Sequence, residues 1–144
     1  AGFSNVMAQA MAARGSGVFV FISSVNGLLH FGNPAYAAAK AGINAFARGI
    51  AVEFGRKGVR ANVVCPGSIR TPAWDHRIAQ DVSVLDRLQR FYPLGRIVDT
   101  REVAETVAFL ASDRASGITG AILPVDAGLT AGNLRFFDDI LGGN

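Results

Sequence analysis

Val18-Phe19-Val20-Phe21-Ile22-Ser23-Ser24, then Val25-Asn26-Gly27-Leu28-Leu29-His30-Phe31-Gly32, then Asn33-Pro34-Ala35-Tyr36-Ala37-Ala38-Ala39-Lys40, is the stretch on which the fold turns. Five β-formers in a row show no polar alternation. A short run that is apolar on both faces suits a buried parallel strand better than an amphipathic edge. The Gly- and Asn-containing segment from Ser24 to Asn33 reads as a loop. Asn33-Pro34 then reads as a helix N-cap with proline in the first turn, where its missing N–H costs nothing. The helix is expected from about Ala35 to Phe54. Its many Ala and Gly residues would let another helix approach closely.

Outward from this unit the same grammar repeats. Upstream, Phe3, Val6, Met7, Ala10 and Met11 share a helical face, and the helix stops near Gly15-Ser16-Gly17. Downstream, the Gly55–Gly58 turn leads to a second buried strand, Val59 to Cys65, broken by Pro66-Gly67. Residues 68–98 are the least regular stretch and read as a lid, with Pro72, Trp74, His76, Phe91, Tyr92 and Pro93 around a polar middle. Asp99-Thr100-Arg101-Glu102 has the pattern of a capping box and opens a helix with Val103, Val107 and Leu110 inward. A third strand is expected from Ala121 to Val125. Helices alternating with strands predict an α/β fold, a doubly wound parallel sheet of about three strands flanked by helices. No internal repeat or interdomain linker interrupts it, so residues 1–144 read as part of one domain.

Composition excludes several function classes. Half of the 144 residues are apolar and 17% are charged, which argues against disorder. No apolar run is long enough to span a membrane, and the N-terminus has no signal-peptide pattern. The chain starts without Met inside an expected helix, which suggests a fragment. The net charge is +3, yet the arginines are dispersed among acidic residues and form no basic, aromatic-interleaved patch. A nucleic-acid partner is therefore not expected. The single cysteine, Cys65, excludes an internal disulfide and fits a reducing compartment, so a cytoplasmic location is expected. Cys65 lies in an apolar run and reads as a buried, inert thiol. Two histidines without ligand spacing leave no metal site. His30 reads as a solvated loop residue. His76 beside Asp75 has no serine in an elbow motif to serve.

The candidate chemistry lies on one rim. Tyr36 and Lys40 are four apart on one helix and share a face. That spacing is weak alone, but Ser23-Ser24 end the first strand, and Pro66-Gly67-Ser68-Ile69-Arg70-Thr71 follow the second. In open α/β sheets, ligands bind at the carboxyl edge where these segments meet.

Six segments in the same order resemble the short-chain dehydrogenase/reductase family. They are Ile22-Ser23-Ser24-Val25-Asn26-Gly27, Tyr36-Ala37-Ala38-Ala39-Lys40, Val59 through Gly67, Pro93-Leu94-Gly95-Arg96, Phe109-Leu110-Ala111-Ser112, and Ile118-Thr119-Gly120 with Val125-Asp126-Ala127-Gly128. The resemblance implies a Rossmann-type domain whose C-terminal catalytic half is residues 1–144, with the N-terminal nucleotide-binding half missing. It implies hydride transfer between NAD or NADP and a small alcohol or ketone. Tyr36 would be the general acid/base. A free tyrosine gives up its proton only near pH 10, and the Lys40 ammonium would favour the phenolate. Ser24 would orient the carbonyl, with Ser23 as its rival. Tyr36, Lys40, Pro66, Gly67, Ile69 and Thr71 would hold the cofactor, and no metal is implied. Homodimers or homotetramers would be expected. Three departures accompany the match. The phosphate-binding Gly-rich loop does not occur in these 144 residues, nor does the family's catalytic asparagine, and Ala127 stands where the family usually has glycine. The competing reading is a non-catalytic fragment that keeps the fold and the association surface. Trp74, Phe91 and Tyr92 could line a pocket or pack the lid.

Overall fold

The computed structural model describes residues 2–142. Helix α1 (Gly2–Arg14) leads into strand β1 (Gly17–Ile22), helix α2 (Pro34–Phe54) and strand β2 (Val59–Pro66). Helices α3 (Pro72–Gln80), α4 (Val84–Gln89) and α5 (Thr100–Ala111) follow, then strand β3 (Ile122–Val125) and helix α6 (Leu134–Leu141). The strands form one parallel sheet in the order β1-β2-β3, with Ile22 opposite Val64 and Val63 opposite Ile122. The expected α/β architecture is what the chain adopts.

Strand periodicity distributes the core between two layers. Ala61, Val63 and Cys65 of β2 point to the face covered by α1 and α2, where Ala8, Ala47, Ile50, Ala51 and Phe54 are buried. Val64 points to the opposite face and packs with Leu110 and Ala115, against Val103, Val107 and Val125. The central strand therefore carries the fold, and truncating Leu110 to alanine would cost about 2–5 kcal/mol. Asn62 lies in this core without penalty: its amide donates to the Ile118 carbonyl at 2.8 Å and accepts from the Ala121 N–H at 3.0 Å. The Arg60 guanidinium caps the end of α5 through the Leu110, Ser112 and Ile118 carbonyls.

Several expectations need correction. β1 is only half-buried, with Ile22 46% exposed, because it is the sheet's edge among the described residues and only β2 lies beside it. In α1 the side chains that enter the core are Ala8, Met11 and Ala12, whereas Phe3 and Val6 face outward. The stretch 68–98 is not irregular throughout. It holds α3 and α4, the first opened by Pro72 at the start of a helix where its lack of an N–H is harmless. The capping box at α5 is as expected: Asp99 Oδ1 accepts from the Arg101 N–H and Glu102 Oε2 from the Asp99 N–H, both at 2.8 Å. Glu102 also takes a two-pronged grip from Arg96, and these donors hold its carboxyl at about 2.

Candidate active site

The site begins where β1 ends. Ser23 and Ser24 alternate in direction as strand residues must. Ser23 is buried and its hydroxyl donates to the Lys40 carbonyl at 3.0 Å, so it ties the strand end to α2. Ser24 is extended, and its Oγ accepts from the Asn26 N–H at 3.2 Å, capping the 3₁₀ turn Val25–Gly27. Among the described residues the Ser24 proton has no acceptor. The two serines thus differ sharply: one hydroxyl is spent inside the fold, the other faces a cleft.

Helix α2 presents the partners. Asn33 adopts a left-handed backbone (φ 53°) that asparagine tolerates, and its Oδ1 accepts from the Tyr36 N–H at 3.1 Å. This cap fixes the first turn, with Tyr36 42% exposed and lining the same cleft as Ser24. One turn on, the Lys40 ammonium lies 5.5 Å from the Tyr36 ring centroid. It donates to the Ile22 carbonyl at 3.2 Å, which leaves further N–H groups free.

The turn bearing Ser24 is pressed against α2. The Asn44 amide donates to the Gly27 carbonyl at 3.0 Å and its oxygen receives the Cys65 thiol at 3.8 Å. A Cβ on Gly27 would sit 2.9 Å from the Lys40 carbonyl carbon and 2.9 Å from Ser23 Oγ, so only glycine fits there. Asn44 went unnoticed in the sequence. A buried polar residue four places after Lys40, in a run of Ala and Gly, was the available signal. Burial pushes the Cys65 thiol up, as expected of an inert cysteine.

The cleft has a volume of about 520 Å³ and is bordered by Ser24, Asn26, Tyr36, Gly67, Ser68 and the apolar Val25, Phe31, Leu88, Phe91, Tyr92 and Leu129. Phe91 and Tyr92 both border it, and Tyr92 also packs the lid: it is fully buried and its oxygen accepts from the Ser68 N–H at 3.0 Å. Trp74 lies elsewhere, stacked under Arg77. His76 pairs with Gln80 and Asp75 with Arg70, so no His76–Asp75 dyad exists. His30 is exposed. Asn26 Oδ1 is buried without a hydrogen-bond partner.

Beyond Gly67 the chain offers uncommitted polar groups. Ile69 bridges to Val98 through the Ser68 carbonyl and the Arg70 N–H, which leaves its own N–H and C=O unused. Thr71 precedes α3 without spending its hydroxyl on a cap. One donor and one acceptor side by side, plus a hydroxyl, match a carboxamide, so the residues present fit the nicotinamide end of a dinucleotide. Pro66, at the end of β2, and Gly67 carry this segment past the sheet edge; Lys40, Ile69 and Thr71 lie outside the cleft lining proper. No cluster of metal-ligating side chains occurs among the described residues. No described helix is long and apolar enough to cross a membrane.

The chain has relatives among known proteins. A family model described as enoyl-(acyl carrier protein) reductase matches residues 2–130. An uncharacterized oxidoreductase of Schizosaccharomyces pombe is 47% identical over 135 residues, which are 93% of this chain and 52% of that protein. A crystal structure of an oxidoreductase of the short-chain dehydrogenase/reductase family from Burkholderia thailandensis superposes with a TM-score of 0.88 at 47% identity, covering 93% of this chain and 53% of that one. A gluconate 5-dehydrogenase from Burkholderia cenocepacia, in complex with NADP and tartrate, superposes with a TM-score of 0.79 at 32% identity, covering 87% and 49%. The chain spans about half the length of the curated relatives it matches.

Proposed function

The chain belongs to the short-chain dehydrogenase/reductase family, and from that premise we propose that the protein transfers a hydride between NAD or NADP and an alcohol or ketone, with Tyr36 moving the proton. The observation that carries this reading is the pair of uncommitted hydroxyls, Ser24 and Tyr36, facing one largely apolar cleft with the Lys40 ammonium a turn away. The relative that holds NADP supports the choice of cofactor. A bound nicotinamide would accept or supply the hydride at the substrate carbon. Lys40, Ile69 and Thr71, with the Pro66-Gly67 segment, would hold its ribose and carboxamide.

Each residue has a defined task in alcohol oxidation. The hydride leaves the carbinol carbon and the proton leaves its oxygen, so the carbon is oxidised to a carbonyl. Tyr36 takes that proton, with the Lys40 ammonium 5.5 Å from its ring centroid. Ser24 donates to the substrate oxygen and stabilises the negative charge that develops there. The 68–98 segment serves as the lid over the cleft, and residues 1–144 serve as the catalytic half of one Rossmann-type domain. Association into dimers or tetramers uses α1 and the Ala/Gly face of α2, where Phe3, Val6, Ala38 and Ala45 are exposed.

The two serines provide the test. Ser24→Ala in the full chain should lower kcat about 10²–10³-fold with cofactor affinity kept, the usual effect of losing one oxyanion donor. Ser23→Ala should mainly lower stability, because its hydroxyl is spent on the Lys40 carbonyl. The reverse pattern would overturn the assignment.

A further inference from the structure

The catalytic cleft does not stop at its own walls. Phe31, Phe91 and Leu129 border both it and a second cavity of about 350 Å³, which continues past Leu29 to Leu134. The two cavities form one groove, polar at the Ser24–Tyr36 end, walled by Phe31, Phe91, Leu129, Leu29 and Leu134 along its middle, and bordered by Thr130, Asn133 and Arg135 at its outer end. No Asp, Glu, Lys, Arg or His lines the inner cavity among the described residues. The cation at the outer end, Arg135, is already paired with Asp139 at 2.7 Å. A carboxylate or phosphate lying in the inner cavity would meet no cationic lining residue among the described residues, and its charge would face aromatic and aliphatic side chains at a desolvation cost.

Resting on the oxidoreductase reading above, we propose that the substrate is an uncharged secondary alcohol or ketone with an extended apolar body. Its oxygen lies at Ser24 and Tyr36, and its chain runs along Phe31, Phe91 and Leu129 toward Leu134. On the groove wall Phe31 is 46% and Phe91 52% exposed. An apolar chain would therefore cover surface that water now wets, and each added methylene gains affinity as it is removed from water.

The experiment uses the full chain with NAD⁺ and with NADP⁺, and measures kcat/KM for 2-alkanols from 2-butanol to 2-decanol. 3-Hydroxybutyrate and gluconate serve as charged comparisons. The proposal expects kcat/KM to rise about two- to fourfold per methylene until the groove is filled. It also expects the hydroxy-carboxylates to be at least about a hundredfold poorer than 2-octanol. Phe31→Ser should lower kcat/KM for 2-octanol about tenfold more than for 2-butanol. A flat chain-length series, or a preference for the carboxylates, would overturn the substrate class while leaving the oxidoreductase reading intact. Oxidation of no alcohol with either cofactor, by a chain that folds as judged by cooperative melting, would overturn both.

Discussion

Gly27→Ala is the substitution that most directly strains the link between fold and site. The new Cβ would lie 2.9 Å from the Lys40 carbonyl carbon, 2.9 Å from Ser23 Oγ and 3.0 Å from the Asn44 amide nitrogen. Two of these belong to α2 and one to the strand end, and none is the free tip of a flexible side chain. Ordinary contact needs roughly 3.4 Å or more, so the 3₁₀ turn must back away from α2 by about half an ångström. Overpacking of this kind costs about 1–3 kcal/mol. The shift also stretches the Asn44–Gly27 hydrogen bond and displaces Ser24, the residue that opens the turn. Misplacement of a catalytic group by about 1 Å costs about a hundredfold in rate, so half that distance should lower kcat about tenfold. Urea denaturation gives the first number and steady-state kinetics of the full chain the second. A Gly27→Ala protein with unchanged midpoint and unchanged kcat would refute the claim that this contact sets the position of Ser24.

Three further outcomes follow from local geometry. Ala127 holds φ 50°, a left-handed conformation costing about 1 kcal/mol or more for a residue with a Cβ. Ala127→Gly relieves that strain but loosens the unfolded chain by about 0.4–1 kcal/mol, so a net gain near 0.5 kcal/mol is expected in chemical denaturation; a loss of stability would contradict it. The Glu102 carboxyl is held at about 2, below its ordinary 4.5, by Arg96 and the Asp99 N–H. Its contribution is therefore present above pH 4.5 and lost as pH falls toward 2, and Glu102→Gln should flatten the fall in melting temperature over that window. Identical acid profiles would show that the exposed pair contributes nothing. Finally, Ala45→Glu on the exposed face of α2 should lower the sedimentation coefficient of the full chain, and a wild-type monomer would refute the association surface.

The sequence made the layered architecture legible because each buried segment announces itself by period. The apolar run at 18–22, the segment 59–65, and the Asn33-Pro34 and Asp99-to-Glu102 helix starts all correspond to real elements. The helices α3 and α4 were missed because they are short and open without a side-chain cap bond. Ser23 and Ser24 look alike in sequence. Only the closeness of the Lys40 carbonyl distinguishes a committed hydroxyl from a free one. Ala127 stands where the family usually has glycine, and only its positive φ gives that preference a cause. Leu88 and Leu129 border the cleft from positions 41 residues apart, and no pattern in a linear sequence brings such residues together.

The central claim is that Tyr36 moves the proton that accompanies hydride transfer, and single-turnover kinetics of Tyr36→Phe in the full chain tests it most directly. Removing the phenol oxygen leaves the ring, the Asn33 cap and Lys40 in place. Nicotinamide absorbance would follow the hydride step, and calorimetric titration would follow cofactor binding. The account predicts a hydride step slowed about 10²–10⁴-fold, with the cofactor dissociation constant within about threefold of wild type. A Tyr36→Phe protein that retains more than about a tenth of the wild-type hydride rate would contradict it.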